Sequence, residues 1–260
     1  MRIKANGLNF NYTIDGPEGA PWLVFSNSLC TTVAMWDEQA ATLKSKYRVL
    51  RYDQRGHGGT DAPAGRYAYD TLIADAVGLM DALGIKKAWF GGLSMGGATA
   101  LGLAQQHPDR VNGIMICDHA CKSTPASSQQ WEERIVVAQT KGMEALVEPT
   151  ISRWFPPETL AKKPAYIDKV RAMIRGTPVD GFVGCAAALA NHDYNSKLET
   201  VRCPVLFMVG EKDGVTPAAM KDMHARLKGS RYVELAGAGH ISNLDRPAEF
   251  TKAIEEFVAS

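Results

Sequence analysis

Gly91-Gly92-Leu93-Ser94-Met95-Gly96-Gly97 is the stretch whose reading decides the fold. Gly92, Ser94 and Gly96 spell G-x-S-x-G, the pattern of a nucleophile elbow, a sharp strand-to-helix turn that lifts a serine Oγ above the edge of a sheet. The turn is strained and leaves no room for Cβ atoms beside the serine, which is why glycines flank it. A glycine-rich turn with a bystander serine would share the pattern, so the flanks decide. Ala88-Trp89-Phe90 is short and apolar, as a buried parallel strand should be. Beyond the serine, Ala98, Leu101, Leu103 and Ala104 have helical spacing up to the His107-Pro108 break.

The same alternation extends on both sides. Ile3 to Asp15 alternates apolar and polar residues up to Gly16-Pro17, the pattern of an antiparallel hairpin at a sheet edge. Trp22–Phe25, Tyr47–Tyr52, Val111–Cys117, Pro204–Val209 and Tyr232–Leu235 read as strands. Helices are expected from about Met35-Trp36, over Tyr69 to Leu83, and from about Pro247 to Val258. Between about Pro125 and Leu189 the rhythm changes to short helices punctuated by Pro149, Pro156, Pro157, Pro164 and Pro178. Residues 125–189 therefore read as an inserted helical cap, with 1–124 and 190–260 as the core. Alternating strands and helices imply a mostly parallel sheet covered on both faces, with its site at the carboxyl ends of the strands.

Composition narrows the class. Apolar residues make up 45% and charged residues 22%, and the net charge is +1. Such a balance gives no footprint for nucleic acid or an anionic membrane. The opening residues lack a signal-peptide core, and no apolar run approaches the ~18 residues that span a bilayer. The five cysteines are scattered without C-x-x-C, which suits a reducing compartment. The expectation is a cytoplasmic protein, a monomer or small homo-oligomer, acting on a small molecule without a cofactor.

A serine hydroxyl needs a base, and the base needs a carboxylate that fixes its tautomer. His240 follows the last strand in Gly237-Ala238-Gly239-His240 and fits the chain order Ser, acid, His. His107 precedes a proline, His57 sits in a turn and His224 lies among charges, so each has a blander role. The acid has two candidates. Asp213, in Gly210-Glu211-Lys212-Asp213-Gly214, has the turn chemistry of a presented carboxylate and is favoured; Asp118 closes the preceding strand.

These residues bring out a resemblance. The chain resembles the α/β-hydrolase superfamily and, within it, the 3-oxoadipate enol-lactonases of aromatic-ring degradation. The likeness rests on Ser26-Asn27-Ser28-Leu29, Arg51-Tyr52-Asp53-Gln54-Arg55-Gly56-His57-Gly58, Gly92–Gly97, Arg153-Trp154-Phe155 and Gly239-His240-Ile241-Ser242-Asn243, and it spans nearly the whole chain. It implies an α/β-hydrolase fold with a mostly parallel eight-stranded sheet, helices on both faces and an inserted helical cap. It also implies Ser94 as nucleophile, Asp213 as acid, His240 as base, and the Leu29 and Met95 N–H groups as oxyanion hole. The implied activity is opening of a small lactone or ester through an acyl-enzyme. The alternatives are a carboxylesterase or amidase, a carbon–carbon bond hydrolase or perhydrolase, or a slow-turnover ligand receptor. Two departures touch the acyl side: Cys30 where the family has glycine, and Cys117-Asp118-His119-Ala120-Cys121 where it has small residues. Cys30, Asp118, His119, Trp131, Arg134 and Trp154 are therefore candidate substrate-binding residues. For Trp131 and Trp154 core packing competes with that role; for Arg134 an exposed helix face competes with reading a substrate carboxylate. Strand alternation would put Cys117, His119 and Cys121 on one face, but three such ligands without a fourth do not make a structural zinc site, and no metal is expected.

Overall fold

Apolar runs with period two build one eight-stranded sheet in the order β1-β2-β4-β3-β5-β6-β7-β8, and the computed structural model describes residues 1–260. Its strands are β1 (Arg2–Ala5), β2 (Leu8–Asp15), β3 (Trp22–Ser26), β4 (Arg48–Tyr52), β5 (Ala88–Leu93), β6 (Val111–Cys117), β7 (Val205–Gly210) and β8 (Arg231–Leu235). The β1–β2 hairpin joins antiparallel through β2–β4, and every other neighbour is parallel. After β3 the chain crosses to β4 on one side and then returns to β5 on the other. This reversal makes the carboxyl ends of β3 and β5 the switch point of the sheet, where a cleft is expected.

Side-chain alternation along β5 assigns the two faces. Trp89 packs edge-on against Phe257 of α11 (Pro247–Val258), and Gly91 faces Phe25, which stacks on Trp36 at 4.8 Å. Phe90 and Gly92 point the other way, where Gly92 meets α3 (Met95–Gln106). Helix α2 (Tyr69–Ala82) packs on α3, and α1 (Asp37–Leu43) on α11.

Between β6 and β7 come α4 (Pro125–Lys141), α5 (Glu144–Trp154), α6 (Pro157–Ala161), α7 (Ala165–Gly176) and α8 (Val179–Ala190). They pack on one another, α4 on α8 and α5 on α7, and meet the core at several close contacts, of which two matter most for the site. At the first, a Cβ on Gly181 would stand 2.0 Å from the Gly56 carbonyl oxygen. At the second, the His240 N–H donates to the Trp154 carbonyl at 2.8 Å. The remaining helices are α9 (Thr216–Arg226) and the one-turn α10 (Ser242–Asp245). No helix is long and apolar enough to cross a membrane.

Two local features were not visible in the sequence pattern, and one expectation changes. Pro149, one of the prolines that punctuate this segment, lies inside α5, losing one backbone bond while the turn continues. The one-turn α10 was not visible in the sequence pattern. Strand β6 stops at Cys117 because Asp118 turns left-handed at φ +49°, so Cys117, His119 and Cys121 do not share a strand face.

The elbow depends on backbone contact. A Cβ on Gly92 would lie 2.1 Å from the Gly96 carbonyl, and one on Gly96 2.2 Å from the Ser26 oxygen. Either alanine substitution must push main chain apart, so each should destabilise the fold by about 3 kcal/mol or more. At this chain length that lowers the melting midpoint by roughly 6–12 °C. A calorimetric midpoint within about 2 °C of wild type would contradict the packing account.

Candidate active site

Ser94 stands between β5 and α3 at φ +54°, ψ −111°, a conformation that a non-glycine residue adopts only when its surroundings force it. Its N–H donates to the Cys117 carbonyl at 2.8 Å, tying the turn to the end of β6. The residue is 9% exposed, and its hydroxyl does not cap the helix that follows.

His240 and Asp213 come from the loops after β8 and β7. His240 Nδ1 lies 2.9 Å from Asp213 Oδ2. A carboxylate only accepts, so Nδ1 carries the proton and Nε2 keeps its lone pair for a neighbouring acid. Trp154 stacks on the imidazole at 5.9 Å and 28°, and its carbonyl holds the His240 N–H. Asp213 is itself held by the N–H of Thr216 on its carbonyl and by its own N–H on Gly210.

The turn after β3, Asn27 to Thr31, lies beside the elbow because Ser26 pairs with Gly92. It is buried and densely bonded. Asn27 Nδ2 donates to the carbonyls of Ser28 and Thr31, both at 2.8 Å. Gln54 donates its N–H to Asn27 Oδ1 and its amide to the Asn27 carbonyl. The Cys30 N–H donates to His57 Nε2 at 2.9 Å, while His57 Nδ1 lies 3.1 Å from the Arg55 carbonyl. That pair of contacts is satisfied by one tautomer, neutral with the proton on Nδ1. Burial pushes the His57 pKa down and keeps that form. With these groups engaged, the N–H groups of Leu29 and Met95 have no carbonyl partner. Met95 is the first residue of α3, where the N–H is free and the helix dipole is positive.

The other candidates fall into two groups. Asp118 is buried, and both its oxygens are engaged, by the Gly210 N–H at 2.8 Å and the Ser242 hydroxyl. His119 is buried, with its ring 5.0 Å from that of His192 and its Nε2 unpaired; burial keeps it neutral. Cys121 points its thiol at Asn195. The second group lies by the turn after β3. Cys30, at φ +62°, buries its thiol beside Thr177 and near Arg134 and Arg153, and burial pushes that thiol up to about 12. Arg134 and Arg153 both cover the Trp131 ring, at 4.6 and 5.4 Å. Arg134 donates to Thr150, but its Nη1 is buried and unpaired. Neither guanidinium has a carboxylate within salt-bridge distance, whereas Arg171 and Arg175 on α7 do.

Two functional-looking features escaped the sequence reading. His57 reads there as a turn residue; the signal was its position after β4, whose pairing with β3 brings the two loops together. Arg153 was one member of a quoted motif, and only the packing of α4 on α5 sets it beside Arg134.

The model of the alpha/beta hydrolase fold family matches residues 21–247. The 3-oxoadipate enol-lactonases 1 and 2 of Acinetobacter baylyi are 35% and 34% identical, over 100% and 97% of this chain and 97% and 94% of theirs. A crystal structure of the enol-lactonase from Burkholderia xenovorans superposes with a TM-score of 0.96 at 38% identity, covering all of both chains.

His57→Phe removes the acceptor under the Cys30 N–H. It should lower kcat about 10- to 100-fold, the cost of an unpaired buried donor next to a proposed oxyanion donor. The stability effect has a definite sign. The folded pKa of His57 lies below 6.5, so its contribution is complete above pH 6.5 and is lost as pH falls toward the folded value. Urea unfolding between about pH 7 and pH 5 should therefore fall off more steeply in wild type than in His57→Phe, by up to about 1.4 kcal/mol per pH unit. Equal slopes and unchanged kcat would remove His57 from the account.

Proposed function

The chain belongs to the alpha/beta hydrolase family, and on that premise we propose that it opens a small lactone or ester bearing a carboxylate, in the manner of a 3-oxoadipate enol-lactonase. The observation that carries the reading is the 2.9 Å contact of His240 Nδ1 with Asp213, beside a serine on a strained elbow. Ser94 Oγ attacks the acyl carbon while His240 Nε2 takes its proton, and Asp213 stabilises the imidazolium. The carbonyl oxygen becomes an oxyanion held by the Leu29 and Met95 N–H groups, rigid donors that need no reorganisation as charge develops. The tetrahedral intermediate expels the ring oxygen, which His240 protonates. In a lactone that oxygen stays tethered to the acyl group. Water then attacks the acyl-serine with His240 as base, releasing the acid and restoring Ser94.

The helices α4–α8 act as a cap whose residues choose the substrate. Arg134 and Arg153 are two neighbouring cations with no carboxylate in direct contact, Asp213 acting on Arg153 only from a distance, and a substrate carboxylate would relieve the repulsion Arg153 exerts on Arg134. The names of the Acinetobacter relatives, whose substrate derives from a dicarboxylic acid, support the same choice. Trp131 backs the pair and Trp154 holds His240. Cys30 adds a side chain between the oxyanion turn and the arginines, narrowing the space for the acyl chain.

Ser94→Ala should cut turnover by at least about 10⁴-fold and Asp213→Asn by roughly 10³–10⁴-fold, with the fold intact. Arg134→Gln should raise KM about 10- to 100-fold for 3-oxoadipate enol-lactone, as loss of a charged hydrogen bond would, while leaving a neutral aryl ester unchanged. Cys30→Gly should shift preference between short and long acyl chains by about 10- to 200-fold in relative kcat/KM. Steady-state kinetics on a panel of lactones and esters checks all four. Ser94→Ala turnover within about tenfold of wild type rules out the nucleophile; equal effects of Arg134→Gln on charged and neutral substrates rule out the carboxylate reader.

A further inference from the structure

Asp118 is a fully buried carboxylate that the proposed reaction does not use. It follows β6, which lies between the strand leading to Ser94 and the strand leading to Asp213. Cys117 is level with Leu93 on one side and Met208 on the other. The next residue turns left-handed at φ +49°, with its N–H still on the Met208 carbonyl at 2.9 Å. Its two oxygens then go to different loops. Oδ1 accepts the Gly210 N–H at 2.8 Å, and Oδ2 accepts the Ser242 hydroxyl. Gly210 receives the Asp213 N–H on its own carbonyl, and Ser242 opens α10 two residues after His240.

Burying a carboxylate is expensive unless each oxygen is bonded, and a left-handed aspartate adds strain. Burial above all, and then the negative charges of Asp213 and Asp245, push Asp118 well above the usual carboxylate range, and Tyr232 lies near it, so charge pairing does not explain its presence. What it has is reach to both loops. From these contacts we propose that Asp118 is a positioning residue: one carboxylate clamps the Asp213 loop to the His240 loop and so holds the acid against the base. The backbone bond from Lys212 N–H to the Ala238 carbonyl joins the same loops elsewhere, which lets them stay together while their alignment changes.

The proposal rests on Asp213–His240 as the acid–base pair, and Asp213→Asn tests that pairing separately. Asp118→Ala removes both arms of the clamp. Asp118→Asn keeps an acceptor for the Gly210 N–H and an amide that donates to the Ser242 oxygen. The experiment is the pH dependence of kcat and kcat/KM for Asp118→Ala, Asp118→Asn and Ser242→Ala, with thermal unfolding of each. For Asp118→Ala the expected result is a fall in kcat of about 100-fold, as displacing a reacting group by ~1 Å causes, with KM little changed. The acid limb of kcat/KM should move about one unit lower, because a loosened carboxylate supports the imidazolium less. Asp118→Asn should stay within about tenfold of wild type with its acid limb in place, since both hydrogen bonds survive. If Asp118→Ala does not fold, Ser242→Ala carries the test, with a smaller fall and the same direction of shift. A purely structural Asp118 would lower the melting midpoint and the active fraction without moving the acid limb. That result, or Asp118→Asn being as damaging as Asp118→Ala, overturns the proposal.

Discussion

Everything at this site depends on how closely the backbone of the elbow can approach itself and its neighbour strand. Ser94 reaches its left-handed conformation only because Gly92 and Gly96 carry no side chain where α3 folds back over β5. The same contact sets Gly96 against Ser26, the last residue of β3. The turn after β3, which carries Leu29, therefore starts beside the elbow from which Met95 opens α3. The elbow and the turn after β3 are thus held together by one packing constraint, made from main chain, which flexes little.

The second organising feature is the seam between the inserted helices and the core. The carbonyl of Trp154, at the end of α5, receives the His240 N–H, and the Trp154 ring covers the imidazole. Gly56, in the loop carrying His57, touches Gly181 of α8. The inserted helices, among which α4 and α5 bear Arg134 and Arg153, are in this way fastened to the loop that bears His240 and the loop that bears His57. Movement of the helices would therefore be felt at His240. Two of the buried histidines, His57 and His119, are kept neutral by burial.

Much of this was legible in the sequence, for identifiable reasons. The strands were visible because buried parallel strands are short apolar runs, and the hairpin because one of its faces is wet. Ser94, Asp213 and His240 were visible because each follows a strand within a glycine-bearing turn. The illegible part was what depends on partners distant in the chain. His57 reads as a turn residue until β3–β4 pairing sets it under Cys30. Asp118 reads as a rival acid until Gly210 and Ser242 take its two oxygens. Strand alternation beyond Cys117 failed because a single left-handed residue ends it. Pro149 does not show in the sequence that it sits inside a helix, where the one lost backbone bond of α5 is offset by the packing of α5 on α7.

The central claim is that Ser94 becomes covalently acylated. A fluorophosphonate, which forms a stable ester with an activated serine, tests it directly. Intact-mass and peptide mapping of the wild-type enzyme should find one equivalent of label on Ser94, with hydrolytic activity lost in proportion. Label on another residue, or full activity with no label, would contradict the account.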